Sequence, residues 1–394
     1  MDNNKLIPKL RFREFDGEWE SCKLHELCKV QDGTHSTPNY VEEGIPFFSV
    51  DTIINNVNPK YISKKDHEKL IKRCEPKKGD ILLSRITGGI LGYPKLVDWD
   101  FEFSIYVSLA LLSSIKIDSK YLNYYIQSSV YRKDFLSKSL LTASPPKINL
   151  NDLESTNIKY PKFYEQKKIA NFFFLLNKKI DLLENKYQLY NNFKKYLMQQ
   201  IFAGKLRFDY EEYALKDVCE QIGNGFSGTQ VPYKTSFPVT RIETISSGNI
   251  NYDKVGFVDE IPERYLLKEG DILLTNINSM KWIGNSVYYD GQEKLYHGMN
   301  LMLLRTKNDF NSKYLYYYIT YYNNWFKRMA CQAVNQASIN KSTLEKFIIK
   351  FPNIEEQNNI SNVLSSSDMK IDQIINEIEL TKKFKKGLLQ QMFV

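Results

Sequence analysis

Three short stretches of this 394-residue chain hold side chains whose types and spacing could do chemistry. Ser144-Pro145-Pro146-Lys147 follows the outline of a loop that, in amino-methyltransferases, stacks an aromatic ring on the base to be modified. Lys147 stands where that ring must be, and no glycine-rich loop for S-adenosylmethionine follows a predicted strand. Asp66 with Glu75-Pro76-Lys77 has the outline of a nuclease metal site, yet it reads equally as the polar turn ahead of a strand. GNGFSG at 223–228 could let backbone approach a phosphate, but lacks the Gly-Lys-Ser/Thr ending that would cradle one. Four scattered histidines and five cysteines without a C-x-x-C pair give neither metal-ligand spacing nor a nucleophile–base pair. The sequence therefore predicts a binding protein with no catalytic residue, no metal and no cofactor of its own.

What remains is the frame that would position a binding surface. The length predicts two or more domains, and 42 % hydrophobic with 25 % charged residues is ordinary globular composition. A net charge of +8 is compatible with a polyanionic partner. An odd set of cysteines fits free thiols in a reducing cytosol. No apolar leader and no run of 18 apolar residues is present, which predicts a cytoplasmic protein without membrane contact.

FKKYLMQQIF at 193–202 recurs as FKKGLLQQMF at 384–393. Shifted by 191 residues, Ile148–Phe202 matches 339–393 without a gap, with 23 of 55 positions identical. GDILL at 79–83 recurs at 270–274 on the same offset, while KYLNYYI (120–126) and KYLYYYI (313–319) lie 193 apart, which requires a short insertion between. The chain is a tandem duplication. Leu10-Arg11-Phe12 recurs as 206–208, directly after the first copy of the ending; after the second copy that continuation is found only at the other terminus. This is a circularly permuted repeat, in which residues 5–20 should pack where the C-terminal helix ends.

Before Pro161 and Pro352 each copy reads as a mixed domain, with IPFFSVDTI, GDILLSRI and YVSLALLSSI as strands and KYLNYYIQSSVYRKDFL as a helix. After each proline about forty residues without Gly or Pro up to the matched ending predict one long helix. Ile169, Phe173, Leu176, Ile180, Leu183, Tyr187, Tyr190, Lys194, Leu197 and Ile201 step by 4 and 3. Their counterparts are Ile360, Leu364, Ser367, Ile371, Ile374, Ile378, Thr381, Lys385, Leu388 and Met392. A 3.5-residue period predicts a coiled coil, here intramolecular and antiparallel, whose seam from Ile169 to Ile201 spans roughly 48 Å. The expected fold is α+β: two mixed domains separated by two long helices, related by a pseudo-two-fold axis. The tyrosine-rich stretch 314–325 is assigned to core.

FDGEWESCKLHELC near the N-terminus, KKGDILLSR and KEGDILLTN, and the doubled P-x₃-EQ-x₂-I opening of each long helix resemble the specificity subunit of type I restriction–modification enzymes. The resemblance covers essentially the whole chain. It implies an N-terminal segment at 1–20 completing the distal conserved region and target-recognition domains at 21–160 and 205–351. Conserved helices are implied at 161–204 and 352–394. It further implies that each domain reads one half of a bipartite, asymmetric site in double-stranded DNA. The helix pair would set the spacer and dock two modification subunits. Restriction subunits complete the implied complex, and S-adenosylmethionine, ATP and Mg²⁺ belong to those partners. The competing class is a coiled-coil adaptor that joins two protein ligands.

Base edges are read by polar side chains at loop tips, and phosphates are held by cations. Three loop regions per domain supply them. The first holds Thr34, His35, Ser36 and Thr37, against Ser227, Thr229 and Gln230. The second holds Ser84, Arg85, Thr87 and Lys95, against Thr275, Asn276, Asn278 and Lys281. The third holds Ser144 and Lys147, against Asn335, Gln336 and Ser338. Arg241, read as the counterpart of Val50, joins them, and Arg85 is the leading candidate for a bidentate guanine contact.

Overall fold

The computed structural model describes residues 5–55, 57–205, 209–245, 248–333 and 336–394, without the side chains of 331–333 and 336. Two units result: Met1–Glu184 with Asn376–Val394, and Asn185–Ile375. Each therefore holds one mixed domain and one end of each long helix. The second Leu-Arg-Phe, at 206–208, lies outside the described residues.

The centre of unit 1 is an antiparallel sheet in the order Cys28–Asp32, Leu109–Ser114, Ile81–Ser84, Pro94–Leu96. Unit 2 repeats it as Cys219–Asn224, Leu301–Thr306, Ile272–Thr275, Ser286–Tyr288. Side chains alternate between faces along a strand. Ile81 and Leu83 accordingly enter one core with Ala110 and Leu112, while Leu82 enters a second with Leu109 and Leu111. Ile272 and Leu274 against Leu273 do the same in unit 2. A strand buried on both faces must be apolar throughout, and this is why GDILL reads the same in both copies.

The Gly-Asp before it closes the turn. Gly79 and Gly270 share φ of 95°, a region that L side chains avoid. The next carboxylate accepts from the backbone N–H two residues before that glycine, Asp80 from Lys77 at 2.8 Å and Asp271 from Lys268 at 2.7 Å.

Each domain opens and closes through a two-stranded ribbon, Glu20–Lys23 with Asn157–Tyr160 and Glu211–Ala214 with Ile348–Phe351. The long helices Phe163–Phe202 and Ile354–Gln391 start just beyond. The glutamine of the repeated Glu-Gln staples each helix to its domain. Gln166 Nε2 donates to Pro161 O (2.8 Å) and its Oε1 accepts from Asp118 N (2.9 Å). Gln357 makes the same bonds to Pro352 O and Asn311 N, at 2.8 and 2.9 Å. Asp118 and Asn311 are the N-caps of Ser119–Ile126 and Ser312–Tyr321. The hydroxyls of Tyr121 and Tyr314 both donate to the ribbon, at Lys159 O and Lys350 O, 2.8 Å each. Tyr314, Tyr317 and Tyr318 are buried.

The N-terminal segment lies against the end of the C-terminal helix. Leu10 N donates to Gln391 O at 2.9 Å, and Trp19 packs edge-on against Phe393. Arg11 forks onto both Glu165 oxygens at 2.8 Å.

Two local expectations are corrected. Of IPFFSVDTI, Ile45–Phe48 is a strand but Val50–Ile54 a helical turn. The predicted single helix at 120–136 is two, Ser119–Ile126 with Ser129–Ser137, and unit 2 likewise has Ser312–Tyr321 followed by Asn323–Met329. In unit 1 the break falls where the Ser128 side chain accepts from Tyr131 N and caps a new helix.

Within each unit the two long helices pack antiparallel. In unit 1, Ile169 and Phe173 share a core with Leu388 and Met392, and Lys179–Glu377 and Lys382–Glu184 pair at 3.0 and 2.6 Å. In unit 2, Ile201 meets Ile360 and Leu364. Ile180, Leu183, Ile371 and Ile374 are buried, while Leu176, Leu197 and Ile378 are half-buried.

The seam lysines are not equivalent. Lys194 is paired with Asp368, whose other oxygen accepts from Tyr317 OH at 2.8 Å. In unit 1 the position of Asp368 is Asn177, which donates to Tyr124 OH at 3.1 Å. Burial pulls the Lys385 ammonium below its ordinary range, with Asp181 opposing. Lys194→Met should therefore destabilise unit 2 by about 1–2 kcal/mol by stranding a carboxylate. Lys385→Met should be neutral or stabilise unit 1 by up to about 1 kcal/mol. Urea unfolding of the two variants should shift in opposite directions or by clearly unequal amounts; equal losses would refute the distinction.

Candidate nucleic-acid interface

The end of the central sheet opposite the Gly-Asp turn gathers the three loop regions. In unit 1, strand Cys28–Asp32 ends in Asp32-Gly33, where a Cβ on Gly33 would lie 2.1 Å from Ile105 O. Only glycine permits that approach. Thr34 N then donates to Ile105 O at 3.1 Å. The second and third loops are tied by Thr87 N to Pro146 O (3.0 Å) and by the Ile86–Lys147 bridge.

Unit 2 builds the same end from different residues. Gly225 sits 2.1 Å, at its would-be Cβ, from Gly298 O, and Phe226 N donates to His297 O at 2.8 Å. Ile277–Asn278 pairs with Gln336–Ser338 to tie its second and third loops. GNGFSG is thus a strand end shaped by backbone crowding.

Several expected readers face inward. Arg85 is 7 % exposed: its Nη1 donates to Asp32 Oδ2 (3.2 Å) and Val107 O (3.0 Å), and its Nε to Ile148 O (3.3 Å). With Nε and Nη1 engaged in the interior, Arg85 lies as an internal partner of Asp32 and not at the exposed loop tip expected of a guanine reader. Ser84 is buried, donating to Ile90 O at 2.6 Å, and Thr34, Thr275 and Asn276 are buried as well. Asn276 Nδ2 donates to Asn224 Oδ1 at 3.3 Å, and its own Oδ1 is buried without a partner.

The remaining candidates are open to solvent in their own units. His35, Ser36, Thr37, Lys95 and Ser144 are exposed and Thr87 and Lys147 half-exposed in unit 1. Ser227, Thr229, Gln230, Arg241, Lys281 and Ser338 are exposed and Asn278 half-exposed in unit 2. Asn335 lies outside the described residues, and of Gln336 only the backbone is described. The equivalent of Arg241 is Ser49 rather than Val50. Both head a helical turn and donate their N–H to a threonine hydroxyl, Ser49 to Thr52 (3.3 Å) and Arg241 to Thr244 (2.9 Å).

Unit 1 has a feature the sequence did not reveal. A second sheet, Tyr40–Val41, Lys60–Ile62, Ile45–Phe48 and Ser104–Ile105, stands beside the loops. Together they form a concavity of about 510 Å³ where Thr37, Thr87 and Pro145 meet Asp51, Asn58 and Lys60. Unit 2 repeats this sheet in reduced form: Val231 bridges Phe257, Pro238–Val239 pairs with Gly256–Phe257, and Val239 bridges Tyr296 in parallel.

Asp66 is bound to Ser63 and Lys69, and Glu75 to Lys77. Burial pushes the Cys28, Cys74 and Cys219 thiols up to about 12, leaving them protonated. Among the described residues, no group of three or more His, Cys, Asp or Glu could hold a metal, and no helix is long and apolar enough to cross a membrane.

Duplicated α+β domains, each welded to a long helix and ending in unequal polar loops, define a two-headed binding protein. A family model described as the type I restriction modification DNA specificity domain matches residues 16–190 and again 208–380, and the chain belongs to this family. Over 210 residues it is 41 % identical to a Methanocaldococcus jannaschii protein provisionally designated type I restriction enzyme MjaX specificity subunit. Those residues are 51 % of this chain and 48 % of that relative. A second protein of the same organism, the type I restriction enzyme MjaVIII specificity subunit, is 26 % identical over 213 residues, 52 % of this chain and 50 % of its own length. The chain thus spans about half the length of the curated relatives it matches. The crystal structure of a type I restriction-modification system S subunit from M. genitalium shares the fold. Its TM-score is 0.64 at 16 % identity, over 98 % of this chain and 99 % of that one.

Proposed function

We propose that this chain is the DNA sequence-recognition subunit of a type I restriction–modification complex and performs no catalysis itself. The observation that carries this reading is the contrast between an invariant frame and unequal loop ends. The sheet order, the Gly-Asp turn and the glutamine staple repeat, whereas the exposed loop residues differ in number, charge and type. Two different half-sites on one double-stranded DNA need that combination. Lys95, Lys147, Arg241 and Lys281 would hold phosphates, while His35, Ser36, Thr37, Thr87 and Ser144 read base edges of one half. Ser227, Thr229, Gln230, Asn278, Gln336 and Ser338 read the other.

Each repeat leaves the same apolar pair uncovered on its long helix, Leu189 with Phe193 and Leu380 with Phe384, all between 52 and 68 % exposed. These pairs would dock two modification subunits, which bring S-adenosylmethionine; restriction subunits would bring ATP-dependent action, all in the cytoplasm where the DNA is.

Methylome sequencing of cells expressing the chain with its modification subunit tests the reading. One bipartite methyladenine motif is expected. A variant with one helical turn inserted within 184–192 should keep both half-sites and change the spacer. Absence of a new motif would overturn the reading, and altered half-sites would overturn the helix as ruler.

A further inference from the structure

Unit 1 and unit 2 place different polar pairs at one structural position, both members buried in unit 1, and in unit 2 Asn276 buried beside an exposed Asn224. Asp32 and Asn224 are the last residues of equivalent strands, opposite Ala110 and Met302 in equivalent registers. Arg85 and Asn276 follow the equivalent strands Ile81–Ser84 and Ile272–Thr275. Their carbonyls accept the same bond, from Ile148 N at 2.9 Å and Ile339 N at 2.8 Å. Between them lies an ion pair in unit 1 and an amide pair in unit 2.

The pair sits where all three loop regions leave the frame. Asp32 precedes the first loop, Arg85 begins the second, and Arg85 Nε reaches Ile148 O at the end of the third. Asp32 also holds Arg73 at 2.6 Å and lies 2.9 Å from His35 Nε2, a member of the first loop. One carboxylate therefore fixes groups from three separate stretches of chain, while being itself 4 % exposed.

We propose that Asp32 and Arg85 are positioning residues that set the register of the reading loops in unit 1, a task performed in unit 2 by Asn224 and Asn276. The inference rests on the DNA-reading function proposed above. Recognition needs side chains held to a fraction of an ångström against base edges. An uncompensated Arg85 guanidinium would seek water and move the loops with it. Neither member of the pair touches DNA; each acts through the loops it anchors.

The test uses the complex of the full chain with its modification subunit, assaying methylation of the cognate site and of every single-base variant. Asp32→Asn should cut discrimination at least about tenfold in the half-site read by unit 1, the size of one lost base contact. Discrimination in the other half should stay within about twofold. The double variant Asp32→Asn, Arg85→Asn transplants the amide pair of unit 2 and should restore both discrimination and the urea unfolding midpoint. Restored stability with discrimination still lost, or a stability loss in Asp32→Asn with both half-sites read as before, would overturn the positioning role. Failure of the unaltered complex to methylate any bipartite site would instead overturn the DNA-reading function beneath it.

Discussion

Asp271→Asn should lower the stability of unit 2 by about 3–5 kcal/mol, whereas Asp80→Asn at the equivalent turn of unit 1 should cost about 1 kcal/mol or less. Both carboxylates close the Gly-Asp turn by accepting a backbone N–H, which an asparagine oxygen can still do. Asp271 carries a second load. Arg305 grips it with both arms of the guanidinium, at 2.7 and 2.6 Å, with the carboxylate side chain 1 % and the arginine 12 % exposed. Asparagine would leave that arginine charged and nearly dry. In unit 1 the corresponding strand offers Ser113, and burial holds the Asp80 carboxyl above its usual range, so losing the charge removes little. Hydrogen exchange of Ile272–Thr275 and Ile81–Ser84 reads the two units separately. Comparable losses would show that the Arg305 fork contributes nothing beyond the turn.

Acid should weaken unit 2 ahead of the carboxylate range. His297 is buried and its Nε2–H donates to Leu301 O at 3.0 Å, a bond that either protonation state can make, so it is the burial of the charge that disfavours the protonated ring. Burial pushes its pKa down to about 4, with the Leu301 bond opposing and Arg305 adding a little. An unfolded histidine titrates near 6.5. Between those values the unfolded chain takes up a proton that the native ring refuses, so stability is full above pH 6.5 and falls as pH drops towards 4. The total is about 3 kcal/mol, of which about 2 should be gone by pH 5. His297→Gln retains a donor for Leu301 and should flatten the profile of unit 2 between pH 7 and 5. An unchanged slope in that variant would assign the acid sensitivity elsewhere. The equivalent position of unit 1 is Ile105, which cannot titrate.

The frame was legible because it was written twice. A 191-residue offset marked GDILL, the Pro-x₃-Glu-Gln opening and the heptad seam, and each proved to be a burial or hydrogen-bonding requirement of backbone common to both units. The loop ends were legible only by residue type. Polar type cannot distinguish an exposed reader from a buried partner when the partner lies 53 residues away, as Asp32 does from Arg85. Offsets also drift. An irregularity between Cys219 and Gln221 brings Asn224 into the place of Asp32, and the same added residue aligns Arg241 with Ser49. The second sheet, reduced in unit 2 to Pro238–Val239 with Gly256–Phe257 and single bridges to Val231 and Tyr296, carries no sequence motif common to both copies, so Asp51, Asn58 and Lys60 passed unnoticed.

The two-stranded ribbons also bear on inheritance. The chain leaves the ribbon of unit 1 at Lys23 and returns at Asn157, and these two residues are direct cross-strand neighbours, joined by Lys23 Nζ to Asn157 Oδ1 at 2.8 Å. Everything between them is, in effect, a cassette with both ends at one doorway. A recombination event that swaps 24–156 for a homologous stretch of another length would leave the ribbon and the Arg11–Glu165 fork intact. It would need to match the partners that reach in from the cassette, the N-cap that meets Gln166 and the rings of Tyr121, Tyr124 and Tyr125 that pack on Phe173 and Phe393. A new specificity could then arise in one genetic step without any relearning of how to fold.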